Sequence, residues 1–593
     1  MLSRFGLKYP SKLHCEKVAS FLSPKSREDA ILLAKGAELQ NRDNTDVELD
    51  FRQESNFLYL TGVQEADFYF IYDFTHNRSY LIAPDENPIV AIWKGPGLSN
   101  KELLKKYDVD HVVRHSGLLN LLKNELRPAK IHGWGRPENG LPLGDKAQEH
   151  ELKHYISHRL VRLSKKKDHQ RHCSSLHRTR PHHPHHHGPY GDHHGHRGGH
   201  HRELHYQDTQ RQEDKDHDHD DPKEPDEVTL LQAMILSRVN KTPIEIALSR
   251  ESTRITSDAH RLVMQSARVG MYEYQLEALF RYECARQGAK TQAYLPIVGT
   301  GVNGAYLHYT RNDTRIQDGQ LILIDAACEA DCYGSDVTRT FPVSGRFSPE
   351  QTEIYNLVLE MQTSVIQSMH KGVEWGAMAV LSQKIGIRGL KRLGIFKGDD
   401  NDLFESNVIK VFYPHGLGHL VGLNVHDDGL GLSVQHPSQL TSDADSLSKL
   451  PVQFHPINTN TVAESLIELP PPSSRRNKAV GSSFYAKPST KLEPGMLVTV
   501  EPGIYFNPAQ IQYALENPHL AQYLDEATIR RYMSVGGVRI EDVVLVLPNG
   551  SVENITTAPK DLHLARRASK TQEACGRVQE AAACHSQYVL GTC

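Results

Sequence analysis

Five residues with hard or imidazole donors stand where apolar runs meet turns. Asp325 ends the run LILID, and Asp336 follows eleven residues later, just ahead of the alternating VTRTF. His419 lies in YPHGLGHLVGLNVHDDG, between His415 and His426. Glu501 lies in LEPGMLVTVEPGIYF, and Glu541 follows Arg539 in YMSVGGVRIEDVVLVLPNG. A carboxylate at the end of a buried strand is costly to desolvate unless a cation or hydrogen bonds compensate it. Four carboxylates and one imidazole do not suit structural zinc, which takes Cys and His in a closed tetrahedron. They suit two hard divalent ions, with manganese the leading choice. Two such ions roughly 3.5–4 Å apart support a bridging hydroxide, polarise a carbonyl and stabilise the oxyanion formed by attack on it. Cys328 and Cys332 flank the first motif but read as small, semi-buried thiols, because oxygen donors already dominate there.

These residues need elements to bring them together. Leu321–Asp325 reads as a buried strand and VTRTF as its neighbour, with Gly334 in or near the turn between them. Glycines 416, 418 and 422 disfavour a regular helix around His419 and allow close backbone approach. A strand delivers Glu501 into a Pro-Gly turn, and one strand is expected to carry both Arg539 and Glu541. AYLPIVGTGVNGAYLHY is strand-like and places His308 at its end. Helices are expected over EVTLLQAMILSRV, over TPIEIALSRESTRITSDAHRLVMQSAR with Pro243 in its first turn, and over MYEYQLEALFRYECARQGA. Another follows Ser348 as N-cap and Pro349 at the first position. Residues 1–160 form an α/β unit: KLHCEKVASFL reads as a helix, and FLYLTGV, DFYFIYDF and SYLIAP as strands. That unit has no acid and histidine cluster, which makes it a support or specificity domain.

Composition limits the alternatives. The 593 residues carry a formal net charge of −4, so no general basic field points to nucleic acid. No run approaches the roughly 18–20 apolar residues that span a bilayer. The first residues lack an apolar core for a secretory signal, and eight cysteines without framework spacing fit reduced thiols in the cytoplasm. Residues 165–225 hold sixteen of the thirty-five histidines and almost no apolar side chains. They cannot offset their ordering entropy, so a disordered linker or insertion is expected, and not a defined metal site. Residues 431–488 read as a long loop insertion, and 564–593 as a loose tail.

The order Asp, Asp, His, Glu, Glu, carried by IDAACEADCYGSDVTRTFP, HGLGHLVGLNVHD, LEPGMLVTVEPGIYF and GGVRIEDVVLV, resembles the pita-bread metallopeptidases. Within them it is most similar to the aminopeptidase P and prolidase branch. FRQESNFLYLTG at 51–62 resembles that branch's N-terminal domain. The resemblance implies an α/β (α+β) chain, with an N-terminal α/β domain at 1–160 and a pita-bread catalytic domain at 227–563. It implies a two-manganese hydrolase that cleaves the bond before proline in a peptide substrate. An Xaa-Pro aminopeptidase is the first reading, an Xaa-Pro dipeptidase the second, and a non-catalytic binding protein of the same fold the third. By position, Asp325, Asp336, His419, Glu501 and Glu541 would bind metal, Asp336 and Glu541 as bridges and Glu501 also as proton shuttle. His308 and His426 would bind substrate and stabilise the intermediate, while His415 and Arg539 would line the site. Substrate-length selection in such enzymes often involves a neighbouring domain or subunit, which leaves a homo-oligomer open beside a single chain. One departure stands beside the first ligand: the family places Gly where this chain has Ala327.

Overall fold

A computed structural model describes residues 8–135, 146–161, 228–427 and 491–560. The histidine-rich tract 165–225, the loop 431–488 and the tail 564–593 lie outside the described residues.

The first half is built on a five-stranded sheet of order β4-β3-β2-β1-β5. Its strands are β1 (Ala30–Lys35), β2 (Tyr69–Asp73), β3 (Arg78–Ala83), β4 (His111–Arg114) and β5 (Lys130–Trp134). β1 runs antiparallel to β2 and parallel to β5. Side chains alternate between two apolar layers, as the period of two requires. Leu32, Phe70, Tyr72 and Leu81 face one core, and Ile31, Leu33, Ile71 and Ile82 the other. Helix Ser11–Phe21 covers the first layer through Cys15 and Val18, and helix Lys146–Arg159 covers the second through Leu152 and Ile156.

FLYLTGV is not a strand. Residues Ser55–Thr61 form a helix, and every residue from Phe57 to Thr61 is buried. A short apolar run fits a buried strand or a buried helix equally well by period. Here the ends decide. The Glu54 side chain accepts the Phe57 N–H at 2.7 Å, and Gly62 closes the helix at φ 68°.

The second half holds two three-stranded sheets. In one, β7 (Leu321–Asp325) lies between β6 (Ile297–Thr300) and β10 (Thr338–Pro342). In the other, β14 (Asp542–Val546) lies between β11 (Leu497–Val500) and β15 (Val552–Asn554). β12 (Gly503–Tyr505) pairs with β13 (Gly537–Arg539). Helices Pro243–Ser266, Glu273–Arg286, Pro349–Ser368 and Trp375–Arg392 pack around these strands. Ser348 accepts the Gln351 N–H at 3.2 Å, with Pro349 in the first turn, so the fourth expected helix starts as its sequence dictates. Its buried stripe Ile354, Leu357, Val358, Met361 and Val365 keeps helical spacing.

One local expectation gains a detail and one needs correction. β7 and β10 are antiparallel neighbours with Thr338 opposite Asp325, but a smaller hairpin intervenes. It pairs β8 (Glu329–Ala330) with β9 (Tyr333–Gly334). Its turn is Asp331–Cys332, both left-handed at φ 45° and 67°, and Gly334 lies near it, two residues on in the return strand. Arg539 and Glu541 are not on one strand: β13 ends at Arg539 and β14 starts at Asp542. Glu541 falls at the step between two sheets, anchored by its N–H to Thr338 O at 3.1 Å. The residue pattern alone runs smoothly through this step. Among the described residues, no helix is long and apolar enough to cross a membrane.

Candidate metal centre

The five expected ligands converge. β7 delivers Asp325 at its last residue, and Asp336 stands two residues ahead of β10. Glu501 follows β11 directly. His419 lies against the same strand: Thr499 N–H donates to His419 O at 2.8 Å, and His419 N–H donates to Thr499 Oγ1 at 2.9 Å. Gly418 makes that approach feasible, since a Cβ there would collide with Thr499 O.

Among the described residues, donor atoms gather in three overlapping groups, each within 4.8 Å: Asp325, Asp336 and Glu541; His419, Glu501 and Glu541; Asp336, His419 and His426. His419 Nε2 lies 3.3 Å from Glu501 Oε1 and 3.4 Å from Asp336 Oδ2. The rings of His419 and His426 meet edge to face at 4.2 Å. His415 joins from the other side, with Nδ1 3.8 Å from Glu501 Oε2 and Nε2 2.8 Å from the Tyr505 hydroxyl. Arg539 Nη2 donates to Asp325 Oδ2 at 2.5 Å, and its Nη1 donates to the Tyr505 hydroxyl at 2.8 Å. His308 stands apart, exposed on the segment after β6. Its charge is nevertheless among those that lower the His426 imidazole, after burial and His419.

The electrostatics suit cations. Burial first, then the Asp325 charge, pushes the Asp336 carboxyl up to about 6, against the opposing pull of His419. Glu541 rises well above the carboxylate range through burial and the charges of Asp336, Glu501 and Asp325. Burial also works against Glu501, but His419, His415 and Arg539 outweigh it and hold its carboxyl at about 2. For His419, burial alone would lower the imidazole, yet Asp336 and Glu501 hold it well above its ordinary value. Crowded buried acids of this kind cannot all ionise without a counter-charge. Two divalent cations would supply it, and the donors are the oxygen-rich set that hard cations take. The residues present therefore fit a dinuclear centre.

Three supporting residues escaped the sequence reading. The Tyr294 hydroxyl donates to Asp325 Oδ1 at 2.5 Å and bridges to Asp336 Oδ1 at 2.6 Å. Thr338 Oγ1 donates to Glu541 Oε2 at 2.6 Å and accepts from Arg539 Nε at 3.0 Å. Tyr505 links His415 to Arg539. Only Thr338 left a signal in the chain, being two residues from Asp336 and so on the same side of an extended segment. Cys328 is buried and takes part in contacts with Thr256, Cys332 is half-buried, and neither joins a donor group. Ala327 is buried, and its carbonyl accepts the Ala293 N–H at 2.9 Å, just ahead of Tyr294.

Comparison with known proteins agrees with this geometry. Residues 247–548 match the model of metallopeptidase family M24, and residues 14–132 match the aminopeptidase P N-terminal domain. A protein of Pyrenophora teres f. teres (strain 0-1) named probable Xaa-Pro aminopeptidase is 31% identical over 557 residues, covering 94% of this chain and 95% of its own. One of Coccidioides posadasii (strain C735) with the same description is 32% identical, covering 93% and 95%. Among solved structures, Pseudomonas aeruginosa aminopeptidase PepP superposes with TM-score 0.63 at 25% identity, covering 95% of this chain and 99% of that one. Proline aminopeptidase P II from Yersinia pestis gives TM-score 0.62 at 24% identity and 95% and 99% coverage, which speaks for the fold alone. With an α/β N-terminal domain ahead of a pita-bread domain whose donors meet at one centre, the chain belongs to metallopeptidase family M24, in its aminopeptidase P branch.

Proposed function

We propose that this chain is a cytoplasmic, manganese-dependent Xaa-Pro aminopeptidase that removes the residue ahead of an N-terminal proline bond. The convergence of Asp325, Asp336, His419, Glu501 and Glu541 in overlapping donor groups carries this reading. Asp325 and Asp336 would hold metal, with Asp336 and Glu541 shared between two ions and His419 and Glu501 completing the set. When bound, two such ions acidify water and polarise the scissile carbonyl. The chain's own groups do the rest. Glu501 sits between His415 and His419, placed to take a proton from water and pass it to the departing proline nitrogen. His426, beside His419, would stabilise charge on the attacked carbonyl oxygen, and the exposed His308 would bind the substrate. Arg539 stays paired with Asp325 and keeps that carboxylate aimed at the centre. The relatives named Xaa-Pro aminopeptidase support this substrate class.

The test is hydrolysis of Arg-Pro-Pro beside the dipeptide Ala-Pro, with metal analysis of the purified chain. Cleavage of the tripeptide with bound manganese is expected; cleavage of the dipeptide alone would make the chain a prolidase. Asp336→Asn removes a shared ligand charge and should lower kcat/KM by about 1000-fold, the scale of several kcal/mol of lost metal stabilisation. Full activity in that variant would end the dinuclear reading.

A further inference from the structure

The turn Leu423–Asp427 carries His426 to the metal donors, yet most of what holds it comes from outside the catalytic sheets. Arg52 reaches across from the N-terminal half. Its Nη2 donates to Leu423 O at 2.6 Å, and its Nε donates to Glu329 Oε1 and Oε2 at 2.9 and 3.2 Å. Its Nη1 donates to the Gln53 carbonyl at 2.9 Å and to Ser55 Oγ at 3.0 Å, which locks the guanidinium plane. Ser55 Oγ in turn lies 2.6 Å from the Asn424 side-chain amide. On the far side of the turn, Arg238 bridges the Asn56 side chain at 2.6 Å and Asp427 Oδ1 at 2.5 Å. Lys241 Nζ reaches Asp427 Oδ2 at 3.1 Å. The Leu423 side chain is buried in the apolar cluster that contains Leu58, Phe70 and Tyr333.

We propose that Arg52 is a positioning residue for the reaction: from the N-terminal half it fixes the turn Leu423–Asp427 and so sets where His426 stands beside the metal donors. The inference rests on the aminopeptidase reading and deepens it. Glu329, the other partner of Arg52, lies on the hairpin between Asp325 and Asp336, so one guanidinium ties both motifs to the start of helix Ser55–Thr61. Its fork is needed, because a lysine ammonium has one point of charge and cannot span the carboxylate and Leu423 O in one plane. Burial raises the Glu329 carboxyl while Arg52 opposes the rise, so loss of the arginine leaves a buried acid without its partner.

The test combines a kinetic cycle with hydrogen exchange on the full chain. Arg52→Gln should lower kcat for Arg-Pro-Pro on the order of 10- to 100-fold, the range for removing a partner that orients a site residue, with manganese content at the wild-type level. In a His426→Ala background the same change should cost no more than about twofold, because coupled residues are not additive. Arg52→Lys should follow Arg52→Gln. Amides of 420–427 should exchange faster in both variants while β7 and β10 stay protected. Unchanged exchange at 420–427, or a full additive loss in the double variant, overturns the proposal. If the wild-type chain fails to cleave Arg-Pro-Pro, the functional reading falls and the exchange result still decides on Arg52. Should Arg52→Gln loosen β7 and β10 as well, Ser55→Ala, which removes a single hydroxyl from the same turn, takes its place in the exchange test.

Discussion

Thr338 shows how one hydroxyl can hold a charged centre together. It donates to Glu541 and accepts from Arg539, so it carries polarity from the cation that faces Asp325 to the acid at the sheet step. Thr338→Val keeps the shape and leaves both partners short of a bond, which costs more than the bond was worth. Metal affinity measured by calorimetry should fall on the order of 10- to 100-fold, and Thr338→Ser should restore most of it. The donor residues themselves were legible because carboxylates and imidazoles at strand ends are chemically conspicuous. Tyr294 and Tyr505 were not, because an aromatic in an apolar run looks like core until its hydroxyl is seen to meet a charge.

Elements bring their own constraints. Helix Pro243–Ser266 presents His260 to the first ligand strand, with Nε2 2.9 Å from Ala326 O, the residue after Asp325. The ring is buried edge-on against Phe280 at 5.2 Å. Burial, aided by the Arg339 charge, pushes it down to about 3. A folded value below the unfolded 6.5 means full stability above pH 6.5, lost as pH falls towards 3. Between pH 6.5 and 5 the loss should reach about 2 kcal/mol, since each unit is worth about 1.4 kcal/mol. Urea midpoints at the two pH values should show it, and His260→Gln should flatten the difference. Helix starts were readable because caps are local. Ser55–Thr61 was not: its cap is a glutamate, an uncommon choice, and its apolar run has no periodicity to decide between forms.

For the whole molecule, the two halves share one apolar cluster: Tyr333 and Leu423 lie with Leu58 and Phe70. The N-terminal unit, read from sequence as a support or specificity domain, packs through that cluster against the hairpin of Tyr333 and the turn of Leu423. The histidine-rich tract enters between two elements that are complete without it. Helix Lys146–Arg159 is buried through Leu152 and Ile156, and Val161 N–H donates to Ile131 O at 2.9 Å. Helix Leu230–Val239 starts on its own capping box at Thr229. Deleting 169–219 should therefore leave Arg-Pro-Pro hydrolysis and manganese content unchanged, as measured on the purified variant. Loss of metal in that variant would assign the tract a role in filling the centre.

The sequence by itself determined which carboxylates and imidazoles stand where apolar runs end, and most helix starts, because each depends on residue type and on neighbours within a few positions. Only the tertiary structure decided the hydroxyls behind the donors, the break between Arg539 and Glu541, and the grip of Arg52 on the His426 turn. Those depend on contacts between segments up to hundreds of residues apart, and no local pattern encodes which buried polar group will meet which.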